Sequence, residues 1–436
     1  MNFISLPFFA ICVGLVCGQY LTNGTFLTEG EYSVRYDTGT FGPEVEEFHY
    51  FFDQWPTGIA RSMHGKTMVS YSRGTDYAFT VGLIENTTYE DAYPSLEINT
   101  PSGDLITYID GIAYGNNDTA ALVSVSSLYT STDNVIWALD TGRPKLNDST
   151  LALARQGGPK LMGFVGHDGS ISSNLTLPVS DTCVRQDSYL LEVRFNLLAN
   201  VTDSGAGIAY IVDSPPDSNR TALIMFDLGS GDCWRRLESD PSTLPVKGDV
   251  PSYNGVPFYP TTDYRSNGLY GIELSYYGDI LYYHSKSSDY FYSIPTSLLN
   301  SPNASTDATA QAAIQNLGQK GGKSNGLASD SNGMVYMLMP ESNAIYLWNT
   351  TQGVAEPYVR DDRSVYPERA FVDFCDGYIY WIATQLQYQP SWNGGLDGRQ
   401  YPGLVLRSVV PNNATKDIFL GPGDPTGNTC IVSNPK

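Results

Sequence analysis

The sequence predicts an all-β chain, a six-bladed β-propeller with one short helix between blades four and five. Two observations carry that prediction. A short apolar run, a polar or glycine-containing turn and a β-branched or aromatic run recur six times along the chain. No Pro/Ser-rich linker or charge run divides the copies into separate domains. Run, turn and run read as a β-hairpin. One such unit cannot bury both faces of its own sheet, whereas a ring of them can, with only short edges left exposed. Six sheets of about four strands, roughly forty to seventy-five residues apart, fit a propeller. Two β-sandwiches are the alternative, and they would not share the polar start of each copy.

The chain opens MNFISLPFFAICVGLVCGQY. Phe8 to Val16 has the length of a secretory-signal core, and Val16-Cys17-Gly18 offers small residues before a cut, although no basic residue precedes the run. It is too short to span a membrane. Residues 1–18 are therefore expected to be a signal peptide and residues 19–436 a single propeller domain. The units run Trp55–Arg73, Val123–Gly142, Tyr189–Ser214, Ser266–Pro295, Lys323–Pro340 and Tyr366–Gln385, the fifth being the clearest. Third strands are expected at Leu161–Phe164, Leu223–Phe226, Tyr290–Ile294, Ala344–Trp348 and Leu404–Arg407. A helix is expected over Ala308–Leu317, capped by Asp307 and stopped by Gly318, with Ala310, Ala313, Ile314 and Leu317 on one face.

Bulk properties narrow the function. A formal charge of −21 argues against nucleic acid and against anionic membrane surfaces. N-glycosylation acceptors at Asn23, Asn86, Asn117, Asn147, Asn174, Asn200, Asn219, Asn303, Asn349 and Asn413 fit an exported, extracellular glycoprotein. Cys12 and Cys17 would leave with the signal, and Cys183, Cys233, Cys375 and Cys430 remain, an even number for an oxidising route. Pairing by neighbourhood gives Cys183–Cys233 and Cys375–Cys430, each loop of about fifty residues contributing on the order of 4 kcal/mol. No C-x-x-C spacing points to zinc or redox chemistry, and His49, His64, His167 and His284 lack metal-ligand spacing. Gly322-Lys323-Ser324 ends like a phosphate loop, but Leu317 stands where the first glycine belongs. There is no G-x-S-x-G elbow.

Several stretches together resemble the major royal jelly protein/yellow family. They are Trp137-Ala-Leu-Asp-Thr-Gly142, Gly157-Gly-Pro-Lys-Leu161, Ser188-Tyr-Leu-Leu-Glu-Val-Arg-Phe195, Ala222-Leu-Ile-Met-Phe-Asp-Leu228 running on to Cys233-Trp-Arg-Arg236, Tyr290 to Leu299, Leu317-Gly-Gln-Lys-Gly-Gly322 and Thr384-Gln-Leu386. The resemblance implies a secreted six-bladed propeller with a central ligand pocket. Some members of that family bind biogenic amines, a few are linked to dopachrome conversion, and most have no established activity. This chain departs from the common pattern at Tyr189-Leu-Leu-Glu-Val-Arg194, at Ser324-Asn-Gly-Leu327 and at Glu368, where relatives carry Asn-Asp, Asp and Asp.

Loops at one end of the inner strands surround the funnel where propeller ligands gather. The start of each repeat places Thr57, Ser126, Glu192, Asn267, Asn325 and Glu368 there. Carboxylates, carboxamides and hydroxyls in a ring could satisfy an ammonium group or a hard cation. Each residue alone is more often a hydrogen-bond partner of a neighbouring blade. Lactonase-type propellers, similar in shape, hold a divalent cation with Glu, Asn and Asp at such starts. Asn267 resembles their Asn, but Thr57 and Asn325 replace the two acids, which weakens a metal site. The sequence thus favours a small polar or aromatic ligand, amines included, held without catalysis, with no metal, no cofactor and no catalytic residue assigned. A dopachrome-type isomerase or a metal-dependent lactonase-like hydrolase, with Glu192 or Glu368 as base, is the alternative. Oligomeric state is not encoded in any pattern found.

Overall fold

The computed structural model describes residues 39–416 apart from 75–76, 147–149, 216–219, 251, 254–255, 258–267 and 304–305. The second run of each repeat is rich in Val, Ile, Leu, Met, Trp and Tyr because it is buried on both sides. Val135–Thr141, Ile208–Asp213 and Leu190–Asn196 contain no exposed residue at all. Six four-stranded antiparallel sheets result, each meandering from an inner to an outer strand.

Blade one comprises Gly58–Arg61, Thr67–Ser70, Val81–Asn86 and Tyr89–Ala92. Blade two comprises Val125–Thr130, Val135–Thr141, Pro159–Val165 and Ile171–Thr176. Blade three comprises Leu190–Asn196, Ile208–Asp213, Ala222–Asp227 and Cys233–Arg236. Blade four comprises Leu269–Leu274, Ile280–Ser285, Tyr290–Pro295 and Gln315–Gln319. Blade five comprises Leu327–Ser329, Met334–Met339, Ala344–Asn349 and Val354–Arg360. Blade six takes Pro367–Val372, Tyr378–Ala383 and Gly403–Val409 from the end of the chain and its outer strand, Val45–Phe51, from the beginning. Small hairpins, Ile106–Ile109 with Ile112–Gly115 and Ser252–Tyr253 with Val256–Pro257, stand outside the ring.

A separate apolar cluster fills each of the six blade interfaces. Leu128, Met162 and Phe164 meet Ala60 and Met68 between blades one and two. Trp137 and Leu161 meet Val193 and Ile211 between blades two and three. Tyr210 and Met225 meet Ile272 and Tyr283 between three and four, and Phe291 meets Met337 and Trp348 between four and five. Tyr336 and Leu338 meet Trp381 and Leu406 between five and six. Phe51, Tyr380 and Val405 meet Val69 and Tyr71 where the ring closes.

Polar pins hold the inner strands in register. Asp140, buried at the end of the second strand of blade two, accepts the backbone N–H groups of Val123 at 2.6 Å, Ser124 at 2.9 Å and Gly142 at 2.9 Å, and pairs with buried Lys160 at 3.0 Å. Asp213 holds the same place in blade three, accepting from Tyr189 N–H at 2.9 Å and Ser188 Oγ at 2.6 Å and pairing with Arg235 at 2.9 Å. The Asp-Thr-Gly and Gly-Gly-Pro-Lys stretches of the sequence are the parts of this device.

The disulfide Cys183–Cys233 joins the segment before blade three to that blade's outer strand, with Cα atoms 5.4 Å apart across a separation of 50 residues. Cys375 is disulfide-bonded as well, and Cys430 lies outside the described residues, as do the signal segment 1–18 and Asn23, Asn147 and Asn219. The acceptors Asn86, Asn117, Asn174, Asn200, Asn303 and Asn413 are exposed and Asn349 is half-buried. Among the described residues no helix is long and apolar enough to cross a membrane.

The helix is shorter than the sequence suggests and sits elsewhere. It runs Thr306–Ala312, inside blade four, between that blade's third and fourth strands. Gln315–Leu317, expected as the end of the helix, instead begins the outer strand Gln315–Gln319, which pairs with Tyr290–Ser293. Leu317 satisfies both patterns, but as a strand residue it packs against Phe291 and Trp348, which completes the blade. Asp307 lies within the first turn rather than at the cap.

Candidate functional site

All inner strands run the same way, so their starts share one face of the ring and their hairpin turns share the other. Four of the six carry a register shift near the start, at Val125/Ser127, Leu190/Glu192, Leu269/Gly271 and Pro367/Ala370. A bulge inserts an extra residue and re-aims side chains. In blade six it brings both Glu368 and its neighbour Arg369 to the channel.

Of the predicted site residues, Glu192, Asn325 and Glu368 are buried at the strand starts. Thr57 and Ser126 turn into their own blades: Thr57 Oγ1 donates to Ser70 O at 3.3 Å and Ser126 Oγ donates to Leu139 O at 3.4 Å. Asn267 lies outside the described residues. Asn325 Nδ2 donates to Pro367 O at 2.7 Å, bridging blades five and six.

Cations missed by the reading of repeat starts dominate this face. Arg194 Nη2 pairs with Glu192 Oε1 at 2.8 Å and Arg194 Nε with Glu273 Oε2 at 2.9 Å. The same guanidinium donates to Leu327 O at 2.7 Å, so one side chain ties blades three, four and five. Burial alone would lower its pKa, but Glu192 and Glu273 more than offset that and hold it above the usual range. Arg369 Nη1 lies 3.5 Å from Glu368 Oε1, Nη2 reaches Leu191 O across the channel, and the guanidinium stacks over Tyr270 at 4.7 Å. Tyr270 OH donates to Glu368 Oε1. Burial, reinforced by Glu368, raises the Tyr270 pKa well above normal. The two carboxylates offered to a cation by the sequence are therefore each paired with an arginine.

Lys286 Nζ sits in a cage of three rings, 4.1 Å from the centroid of Tyr270, 5.0 Å from Trp392 and 5.4 Å from Tyr366. Burial pushes its pKa down to about 8, Glu368 opposing and Arg369 adding to the shift. From the turn face Lys416 closes the channel: its backbone N–H donates to Asp373 O at 2.9 Å and its Nζ lies 3.2 Å from Glu273 Oε1. Between these layers, a cavity of about 10 Å³ lined by Tyr129, Glu192, Arg194, Glu273 and Arg369 remains. That is room for about one water molecule.

Arg194 was within reach of the sequence, because it follows Glu192 at strand spacing and shares its face. Arg369 was not, since alternation sends a neighbour of Glu368 to the opposite face and only the bulge brings it back. Lys286 and Trp392 come from a strand end and a loop turn, Pro390–Trp392, with no repeat signal. Three buried polar atoms at this face, Asn325 Oδ1, Glu368 Oε2 and Arg369 Nε, have no hydrogen-bond partner among the described residues. Nor do any three His, Cys, Asp or Glu side chains among the described residues converge as a metal site.

His284 is structural and makes acid stability a test of this packing. Its Nε2 lies 2.8 Å from Asn325 O, and a Cβ on Gly271 would stand 2.3 Å from that nitrogen. Burial, helped by Lys320, pushes its pKa from 6.5 to about 3. The unfolded chain takes up this proton near pH 6.5, while the folded chain resists until about pH 3. Stability from this group is thus full above pH 6.5 and is lost as pH falls through that window, by about 1.4 kcal/mol per pH unit. Urea unfolding at pH 6.5, 5.5 and 4.5 should show a steeper acid loss for the native chain than for His284→Asn; equal slopes would contradict a neutral buried ring.

The fold defines the class, a six-bladed β-propeller closed by its N-terminal strand. The profile of the major royal jelly protein family matches residues 123–366, more than half of the chain, and the chain belongs to that family. No curated protein matches it significantly. Solved structures match the chain over most of its length at low identity and at TM-scores below 0.5. The luciferin-regenerating enzyme is 11% identical with a TM-score of 0.47, covering 87% of this chain and 100% of its own. Regucalcin, a calcium-binding protein from Agrobacterium tumefaciens, is 9% identical with a TM-score of 0.47, over 84% of this chain and 92% of its own. A gluconolactonase from Xanthomonas campestris is 9% identical with a TM-score of 0.44, over 86% of this chain and 99% of its own.

Proposed function

We propose that this protein is a secreted glycoprotein that holds a small polar or aromatic ligand at the strand-start face of its channel, without catalysing a reaction. The observation that carries this is the trio Asn325 Oδ1, Glu368 Oε2 and Arg369 Nε, two acceptors and one donor, each buried at the strand-start face with no partner among the described residues, Glu368 and Arg369 both touching Tyr270. An unpaired buried polar group costs about 1–3 kcal/mol. A ligand bringing a hydroxyl and an acceptor to this face would complete all three, and because the closed channel has room for about one water molecule, its entry requires side chains of the face to move aside. The caged Lys286 weighs toward a neutral or acidic phenol over an amine, because the aromatic cage already holds the chain's own cation. Export is supported by the signal-like N-terminus, the exposed glycosylation acceptors and the Cys183–Cys233 disulfide.

Calorimetry with a panel of amines and small phenols tests the reading. At least one phenol is expected to bind, and Glu368→Gln or Glu192→Gln to weaken it at least tenfold while the unfolding midpoint shows the variant folded. No binding, or binding that neither variant changes, would overturn it. Turnover of dopachrome or a lactone, with or without calcium, that Glu368→Gln abolishes would replace binding by catalysis.

A further inference from the structure

A large cleft among the described residues stands apart from the channel. It lies on the turn face between blades three and four and has a volume of about 690 Å³, within the range of small-ligand sites, about 300–1,000 Å³. The hairpin turn after Leu190–Asn196, the turn after Ala222–Asp227 and the turn after Leu269–Leu274 form its walls, with Thr296–Pro302 as the rim. Its lining mixes polar groups with apolar surface and carries no lysine, arginine or histidine. Asp203, Asp227, Asp232 and Asp279 contribute carboxylates, and Trp234 and Tyr277 contribute rings, Tyr277 being 59% exposed.

Asn200, the acceptor of an Asn-Val-Thr sequon, is itself part of the wall. It is exposed and stands in a turn. Its side-chain amide makes no hydrogen bond to the described residues, whereas that of Asn174 donates to Thr119 O at 2.8 Å. A glycan grown from Asn200 would start inside the cleft. Sugar hydroxyls donate to carboxylates and accept from hydroxyl groups such as those of Thr202, Ser230 and Ser297, and the C–H faces of a pyranose lie flat against aromatic rings. A neutral, hydroxyl-rich chain suits a lining that has many acceptors, two rings and no cation.

We propose that this cleft seats the first sugars of an N-linked glycan carried by Asn200. The proposal rests on the export reading above, not on ligand binding in the channel. In the seated state the core sugars are shielded by the protein, so the linkage at Asn200 resists enzymes that cut it.

The test uses the full chain secreted from eukaryotic cells. Site occupancy is read by glycopeptide mass spectrometry, and release by peptide N-glycanase is followed on the folded protein. Asn200 is expected to be occupied and to release its glycan at least tenfold more slowly than the other occupied acceptors, with the difference gone after denaturation. Tyr277→Ala combined with Asp232→Ala, both at exposed positions, should abolish the protection without changing the unfolding midpoint. An unoccupied Asn200 beside occupied acceptors, equal release rates, or protection that survives the double substitution would each overturn the proposal. If no acceptor carries a glycan, the export reading falls with it, and channel binding remains to be judged by its own calorimetry.

Discussion

Arg194→Ala is expected to destabilise the fold by about 3–5 kcal/mol, the usual cost of removing one partner from a buried ion pair. Arg194 is 3% exposed and lies between Glu192, 2% exposed, and Glu273, 1% exposed. Its removal takes from Glu192 its paired cation, leaving a long contact to Ile272 N–H at 3.4 Å and the more distant charge of Arg369, and leaves Lys416 as the one cation within 4 Å of Glu273 among the described residues. It also frees Leu327 O. Coulomb repulsion between the two carboxylates then acts in a medium that screens poorly. Arg194→Lys should recover only part of the loss, since an ammonium cannot reproduce the fork that reaches both acids. Arg194→Met with Glu192→Gln should recover more than Arg194→Met alone, because it removes a stranded charge. Denaturant unfolding at two salt concentrations provides the reading: the loss should change little with salt, as buried pairs are screened weakly. A loss under about 1 kcal/mol, the value of an exposed pair, would mean that the channel is wet and the ion pairs open.

The same residue shows where sequence reading reaches and where it stops. Repeated hairpins made the ring legible, because a β-branched run after a polar turn has few other uses and a sixfold copy has fewer. Asp140 and Asp213 stood in recognisable stretches, yet their task as acceptors for three and two main-chain or hydroxyl donors appears only once the preceding strand is in place. At the channel, period-two alternation locates Glu192 and Arg194 together. It fails at Glu368-Arg369, where a bulge overrides the period, and at Lys286 and Trp392, which meet only through the tertiary fold. Gln315–Leu317 failed for a different reason: a short amphipathic segment fits helix and strand alike, and the open edge of Tyr290–Pro295 decided it. Local pattern therefore specifies which residues face the channel wherever the strand is regular. The charge balance of the site depends on the irregular places.

Phe51→Ala is expected to cost about 3–5 kcal/mol, as for other buried aromatic truncations, although Phe51 belongs to an outer strand. Outer strands of a propeller are ordinarily half wet. Val45–Phe51 differs because it closes the ring, pairing from Val45 opposite Ser408 to Phe51 opposite Gly403. Phe51 is 1% exposed and packs with Ile59, Val69 and Tyr71 of blade one as well as Tyr380 and Val405 of blade six. His49, in the same strand, reaches Glu90 at 2.6 Å and Asn86 O at 2.8 Å in blade one. Tyr50 N–H donates to Thr87 O at 2.9 Å. A ring whose last interface is loosened can open there, whereas a loosened edge elsewhere leaves the ring shut. Val354→Ala, in the outer strand of blade five at a position 42% exposed, should accordingly stay within about 0.5 kcal/mol of the native chain. Proteolysis adds a second reading, because opening at this interface exposes Gly403–Val409 and its flanks. In Phe51→Ala the first cut should fall there, in sub-denaturing urea, before any cut in blades two to four. Equal losses for the two variants, or a first cut in blades two to four, would mean that the ring is held by all its interfaces alike and not by the strand that closes it.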